Sequence, residues 1–113
     1  MTFYMIQWSY KEQQVQALVS HPHDRYEILS KLFKDFGGTL HQFFLSFGDY
    51  DGVIIAEFPD NTAATACLLT VLRSGGVTDL KTTVLISPKE ALKAMKLAGK
   101  TRSDYLPPSA ATS

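Results

Sequence analysis

Apolar positions recur along this chain with two different periods, and the switches between them predict its elements. Residues 2–9 (Thr2-Phe3-Tyr4-Met5-Ile6-Gln7-Trp8-Ser9) are aromatic and aliphatic without a breaker, and predict a first strand. Tyr10 to Val19 is polar and accommodates one short helix. Ser20-His21-Pro22 opens a new element, since serine caps a helix and proline suits its first turn. From Arg25, the residues Tyr26, Leu29, Phe33 and Phe36 recur at helical spacing, widened by Ile28 and Leu32, until Gly37-Gly38 stops the helix. Thr39 to Phe47 and Asp51 to Phe58 are hairpin strands, with Gly48-Asp49 as a two-residue loop in which glycine takes positive φ. Asp60 or Asn61 caps a helix from Thr62 to Arg73; it is apolar nearly all round and is expected to be buried on more than one side. Val77 to Ile86 is a fourth strand. Ser87-Pro88-Lys89-Glu90 starts a last helix, with serine at the cap and glutamate three residues along. That helix puts Ala91, Leu92, Met95 and Ala98 on one face and stops at Gly99.

This order predicts an α+β protein: a ferredoxin-like βαββαβ unit with a four-stranded antiparallel sheet plus a C-terminal helix. Right-handed crossovers place both crossover helices on one face of the sheet. Residues 1–99 are expected to form the one domain and residues 100–113, with Pro107-Pro108, a flexible tail.

The hairpin register sorts the side chains. Pairing outward from Gly48-Asp49 puts His41, Phe43, Leu45, Phe47, Tyr50, Ile54, Ala56 and Phe58 toward the helices. The opposite face receives Leu40, Gln42, Phe44, Ser46, Asp51, Val53, Ile55 and Glu57, joined by Phe3, Met5, Gln7 and Ser9 of the first strand. Leaving Phe3, Met5, Phe44, Val53 and Ile55 in water forgoes on the order of 5–10 kcal/mol at roughly 25 cal/mol per Å². That is comparable with the stability of a whole domain. The expected cover is a second copy of the chain, a homodimer with the two mixed faces packed together, with the C-terminal helix as the rival cover. Polar residues among apolar ones would then line a cavity suited to a small, mostly apolar molecule. The candidate ligand-binding residues are Gln7, Gln42, Phe44, Ser46, Asp51, Ile55 and Glu57. Asp51 has two readings: a general base or ligand acceptor in that cavity, or a carboxylate that accepts nearby backbone amides.

Composition changes this picture little. The chain has 113 residues, enough for one domain, and 11 basic against 11 acidic residues leave no net charge. Without a basic excess, neither nucleic acid nor a membrane surface is expected as a partner. No apolar run approaches the ~20 residues of a membrane span, and the start of the chain lacks a signal-peptide pattern, so the expected location is cytoplasmic. Cys67 is the single cysteine and reads as a small buried hydrophobe. His21 and His23 lack a third ligand, so no metal is expected, and the absence of a glycine-rich phosphate loop argues against a cofactor. Arg25 has two readings, a stem lying along apolar surface or an anion clamp at a pocket mouth.

Three features carry a likeness: Gly48-x-Tyr50-Asp51 between two apolar strands, Gly37-Gly38 after a helix, and Gly75-x-Val77 before a threonine-rich strand. Together they resemble the GYD domain family over about residues 3–90. The resemblance implies the dimeric α/β-barrel fold. The same turn is similar to one in the ligand-binding domain of leucine-responsive regulatory proteins, where this fold binds amino-acid effectors between subunits. Relatives of the fold also include cofactor-independent enzymes, so an isomerase or oxygenase using the same cavity is the alternative to a binding module. A purely structural assembly domain is the third.

Overall fold

The computed structural model describes residues 1–110. Its elements are β1 (Thr2–Tyr10), α1 (Glu12–Ser20), α2 (Arg25–Asp35), β2 (Thr39–Leu45), β3 (Gly52–Phe58), α3 (Asn61–Arg73), β4 (Val77–Leu85) and α4 (Pro88–Lys100). The sheet runs β2-β3-β1-β4 with every neighbouring pair antiparallel, which is the ferredoxin-like order.

Alternation along β1 and β3 builds the core. Tyr4, Ile6, Trp8, Ile54 and Phe58 are buried on the helix side, against Phe33 of α2 and Cys67 of α3. Burial pushes the Cys67 thiol up to about 11, as expected of a cysteine serving as a small hydrophobe.

α2 starts at Arg25, as its periodicity implies, but Ser20 does not cap it; Ser20 closes α1. The cap is Asp24, whose carboxylate accepts the Tyr26 amide at 2.8 Å, with Glu27 three residues on in the capping-box position. The far end closes through Gly37, at φ 76°, with Gly38 N–H donating to the Phe33 carbonyl and Gly37 N–H to that of Lys34.

The hairpin register holds at Leu45 opposite Gly52 and Phe43 opposite Ile54. The connection itself is longer than two residues. Ser46 N–H donates to the Asp51 carbonyl, and the Ser46 hydroxyl donates to the Tyr50 carbonyl at 2.7 Å, leaving Phe47 to Tyr50 as the loop. Gly48 does not take positive φ, and Phe47 stands fully exposed instead of facing the helices. At the other end of β2, a bulge inserts His41 between Leu40, which pairs with Ala56, and Gln42, which pairs with Ile55. Leu40 is therefore buried on the helix side, and His41 moves to the opposite face. A second irregularity in β4 sets Asp79 and Leu80 against Trp8 alone, with Asp79 at φ 52°.

One expectation about helix burial fails. α3 buries Ala64, Cys67 and Leu68 on one side only, leaving Leu69 and Leu72 exposed. Its leftover apolar residues, Leu69 and Leu72, border an open cleft toward Thr82 and Val84 of β4. α4 buries none of its residues, so the rival cover for the open sheet face is not in place. The chain measures 62 × 31 × 23 Å, with a radius of gyration of 18.8 Å. A compact domain of this length has a radius of about 13 Å. Residues 101–110 carry no helix or strand; the rest of the expected tail, 111–113, lies outside the described residues.

Candidate functional site

The face of the sheet turned away from α2 and α3 is built by register. β1 contributes Phe3, Met5 and Gln7, which pair with Glu57, Ile55 and Val53 of β3. β2 adds Gln42 opposite Ile55 and Phe44 opposite Val53, while β4 adds Leu85, Thr83 and Lys81. The apolar part of this face is open: Phe44 is 57% exposed and Phe3 37%. Near one end, the His41 ring stacks on Phe3 at 5.6 Å, and its Nε2 donates to the Glu57 carboxylate at 2.8 Å. The bulge makes this contact, because an unbroken strand would have turned His41 toward α2.

Five of the seven candidate ligand residues thus share one face: Gln7, Gln42, Phe44, Ile55 and Glu57. Ser46 and Asp51 lie at the base of the β2–β3 loop and carry backbone contacts there. Asp51 N–H donates to the Trp8 carbonyl, and the Asp51 carboxylate accepts the Tyr10 amide, both at 2.8 Å. These bonds extend the β1–β3 pairing beyond Trp8 and Gly52, so the carboxylate acts as a strand-end partner.

Gly52 is a residue that sequence reading missed. A Cβ built on it would lie 2.3 Å from Trp8 Cζ2, so the indole packs directly on that backbone. Trp8 in turn meets Phe43 at 5.4 Å and Tyr10 at 6.1 Å, both edge-on. The signal was available, since a second glycine follows the aspartate of Gly48-Asp49-Tyr50-Asp51 and a glycine inside a strand marks close approach.

On the helix side lies a cleft of about 400 Å³ between the α1–α2 connection and β2, with Tyr10, Arg25 and Phe43 among its walls. Another, of about 410 Å³, runs between α3 and β4 beside Leu72 and Val84. Among the described residues, no three His, Cys, Asp or Glu side chains gather in the manner of a metal site. No described helix is long and apolar enough to cross a membrane.

A family profile, that of the GYD domain, matches residues 4–95. No curated protein sequence matches. Among solved structures, TTHA0845 from Thermus thermophilus is similar, with a TM-score of 0.53 at 16% identity, over 77% of this chain and 95% of that one. A transcriptional regulator from Neisseria meningitidis, NMB0573, solved as an L-Met complex, is similar with a TM-score of 0.52 at 18% identity. The match covers 94% of this chain but only 56% of the regulator's. At these identities the likeness is one of fold.

Proposed function

The chain belongs to the GYD domain family, and from that membership we propose that it is a homo-oligomeric binding module whose open sheet faces pair around a small, mostly apolar molecule. One observation carries the reading: exposed area. The chain leaves 8327 Å² accessible, whereas a compact chain of 12.6 kDa is expected to expose roughly 6,200 Å². The excess, roughly 2,000 Å² per chain, suits the larger homodimer interfaces. Exposed large apolar side chains stand on the open face (Phe3, Phe44), on α4 (Leu92, Met95) and on the segment after it (Tyr105, Leu106). Exposed apolar patches of such extent mark interaction surfaces.

Pairing two such faces would bring Gln7, Gln42 and Glu57 of each copy among Phe44 and Ile55, a few polar groups within apolar walls. The L-Met complex of the Neisseria regulator supports a small-molecule role for this fold. In the enzyme alternative, Asp51 is the candidate base; its carboxylate already accepts the Tyr10 amide, which favours a structural duty. The assembly alternative leaves the paired faces filled by side chains alone.

Native mass spectrometry of freshly purified protein tests the reading, since it reports subunit count and carried ligand together. Phe44→Lys places an uncompensated charge on the apolar part of the pairing face and is expected to weaken association at least tenfold, about 1.4 kcal/mol. A wild-type chain that is a folded monomer at micromolar concentration would refute the proposal. An oligomer with no ligand and a fully packed interface would favour the assembly alternative.

A further inference from the structure

α4 buries no residue, yet its pattern is that of a packed helix. Ala91, Leu92, Met95 and Ala98 fall on one side, and Lys89, Lys93, Lys96 and Lys100 on the other. Leu92 and Met95 stand 49% and 67% exposed. A helix of 13 residues is marginal in water by itself, so its stability has to come from packing that apolar side.

The cleft between α3 and β4 is open in the complementary way. Leu69 and Leu72 form one wall, Thr82 and Val84 the other. Among its polar groups, the Tyr4 hydroxyl already donates to Asn61 Oδ1, which leaves the cleft better suited to apolar side chains than to a polar small molecule. The lengths agree as well: the α3 wall from Thr65 to Leu72 and the α4 face from Ala91 to Ala98 each rise about 10 Å.

The link between β4 and α4 keeps the helix out of its own chain's cleft. Only Ile86 and Ser87 separate the two elements. Ser87 is extended, at φ -66° and ψ 154°, the conformation that a following proline imposes. Its hydroxyl accepts the Glu90 amide and its carbonyl the Ala91 amide, so the first turn is tied to the link. No glycine lies between Gly76 and Gly99 to let the chain double back. The 62 Å long axis of the molecule is in keeping with a helix directed outward.

We propose that α4 is an exchanged arm: it lies in the α3–β4 cleft of a second copy, whose own α4 lies in the first. Every copy carries both the arm and the cleft, so one twofold axis satisfies all four surfaces. The four lysines of α4 then stay in water. The area allows it, since the chain exposes roughly 2,000 Å² more than a compact one, and a stable interface needs about 1,200–2,000 Å² from both partners together. The cleft is on the helix side, so the exchange does not rest on the pairing of the open sheet faces.

Leu69→Cys and Met95→Cys put one thiol on the cleft wall and one on the arm. Both sites are exposed, so the fold should survive, with circular dichroism as the control. Cys67 is fully buried, and the wild-type chain serves as the blank. The two full-length variants, one with a longer affinity tag, are refolded together and treated with a short flexible bismaleimide. A covalent species joining tagged to untagged chain is expected, in clear excess over any product from either variant alone. The double variant Leu69→Cys/Met95→Cys, refolded with excess wild-type chain, should form no link within one chain. Leu72→Lys and Met95→Lys should each weaken association at least roughly tenfold, and together no more than one alone, because they break the same contact. Phe44→Lys touches neither surface, so loss of sheet pairing and loss of the exchange are read separately. A persistent link within one chain would show α4 folding back and overturn the proposal. Links between like variants only, no link at all, or association unchanged by both lysine substitutions would overturn it too.

Discussion

Replacing Gly52 with alanine adds one methyl group at a place where the indole of Trp8 already sits. The new Cβ would meet Trp8 Cζ2 at 2.3 Å and Cε2 and Cη2 at 2.7 Å, far inside any contact that real Cβ atoms make. Positive φ is not involved at this residue, so the conflict is one of space alone. Trp8 cannot retreat easily, being 5% exposed and flanked edge-on by Tyr10 and Phe43. Over-packing of this kind costs about 1–3 kcal/mol. For a domain of this size, each kcal/mol lowers the melting temperature by about 4–8 °C. Urea denaturation followed by far-UV circular dichroism, at one fixed protein concentration, measures the loss. Trp8→Phe supplies the second arm, because a smaller ring gives the methyl group room. Gly52→Ala should cost at least about 1 kcal/mol less in that background, a coupling typical of residues in contact. A single substitution costing under about 0.5 kcal/mol, or a cost unchanged by Trp8→Phe, would refute the packing account.

Other perturbations bear on other parts of the molecule. Asp51→Ala leaves the Tyr10 amide without its acceptor at a strand end and should destabilise the fold by about 1–3 kcal/mol in the same urea assay. Asp51→Asn retains an acceptor oxygen there and should cost less than Asp51→Ala. Cys67 is fully buried with its thiol raised to about 11 from 9.0, so the unfolded chain loses that proton first. Stability should fall as pH rises from 9 toward 11, by at most about 1.4 kcal/mol per pH unit from this group, and Cys67→Ala should lack that component. The same burial predicts that a thiol reagent at pH 8 labels the native protein no faster than it opens. Ending the chain after Ile86 removes α4, which buries nothing, and should leave the circular dichroism of the remaining sheet and helices intact while weakening self-association.

The sheet and its pairing were legible because apolar alternation and a breaker-rich loop act locally. Leu45 opposite Gly52 and Phe43 opposite Ile54 followed from counting outward from that loop. The count went astray at its two ends for separate reasons. Near the loop, the Ser46 hydroxyl takes the Tyr50 carbonyl, a local side-chain bond that replaces the expected Phe47–Tyr50 pairing. At the far end, Leu40 and Phe43 both face the helices across two intervening polar residues, which an unbroken strand cannot achieve. The His41-Gln42 pair between them was the sign of a bulge. The cap at Asp24 was also readable, but the proline two residues earlier drew the boundary away from it. Within the candidate site, the residues placed by strand alternation share a face. Ser46 and Asp51, at the base of the loop, carry backbone contacts there instead.

Both outer strands of the sheet, β2 and β4, carry an extra residue: His41 in one, the Asp79-Leu80 step in the other. A row of free N–H and C=O groups on a flat outer strand invites further strands to add sideways without limit. Here each margin is kinked, so lateral addition by hydrogen bonding is spoiled on both flanks. The association proposed above would instead use stacking, flat side against flat side. Stacking closes after a definite number of copies. The two inserted residues therefore act against open-ended, fibre-like growth at either flank.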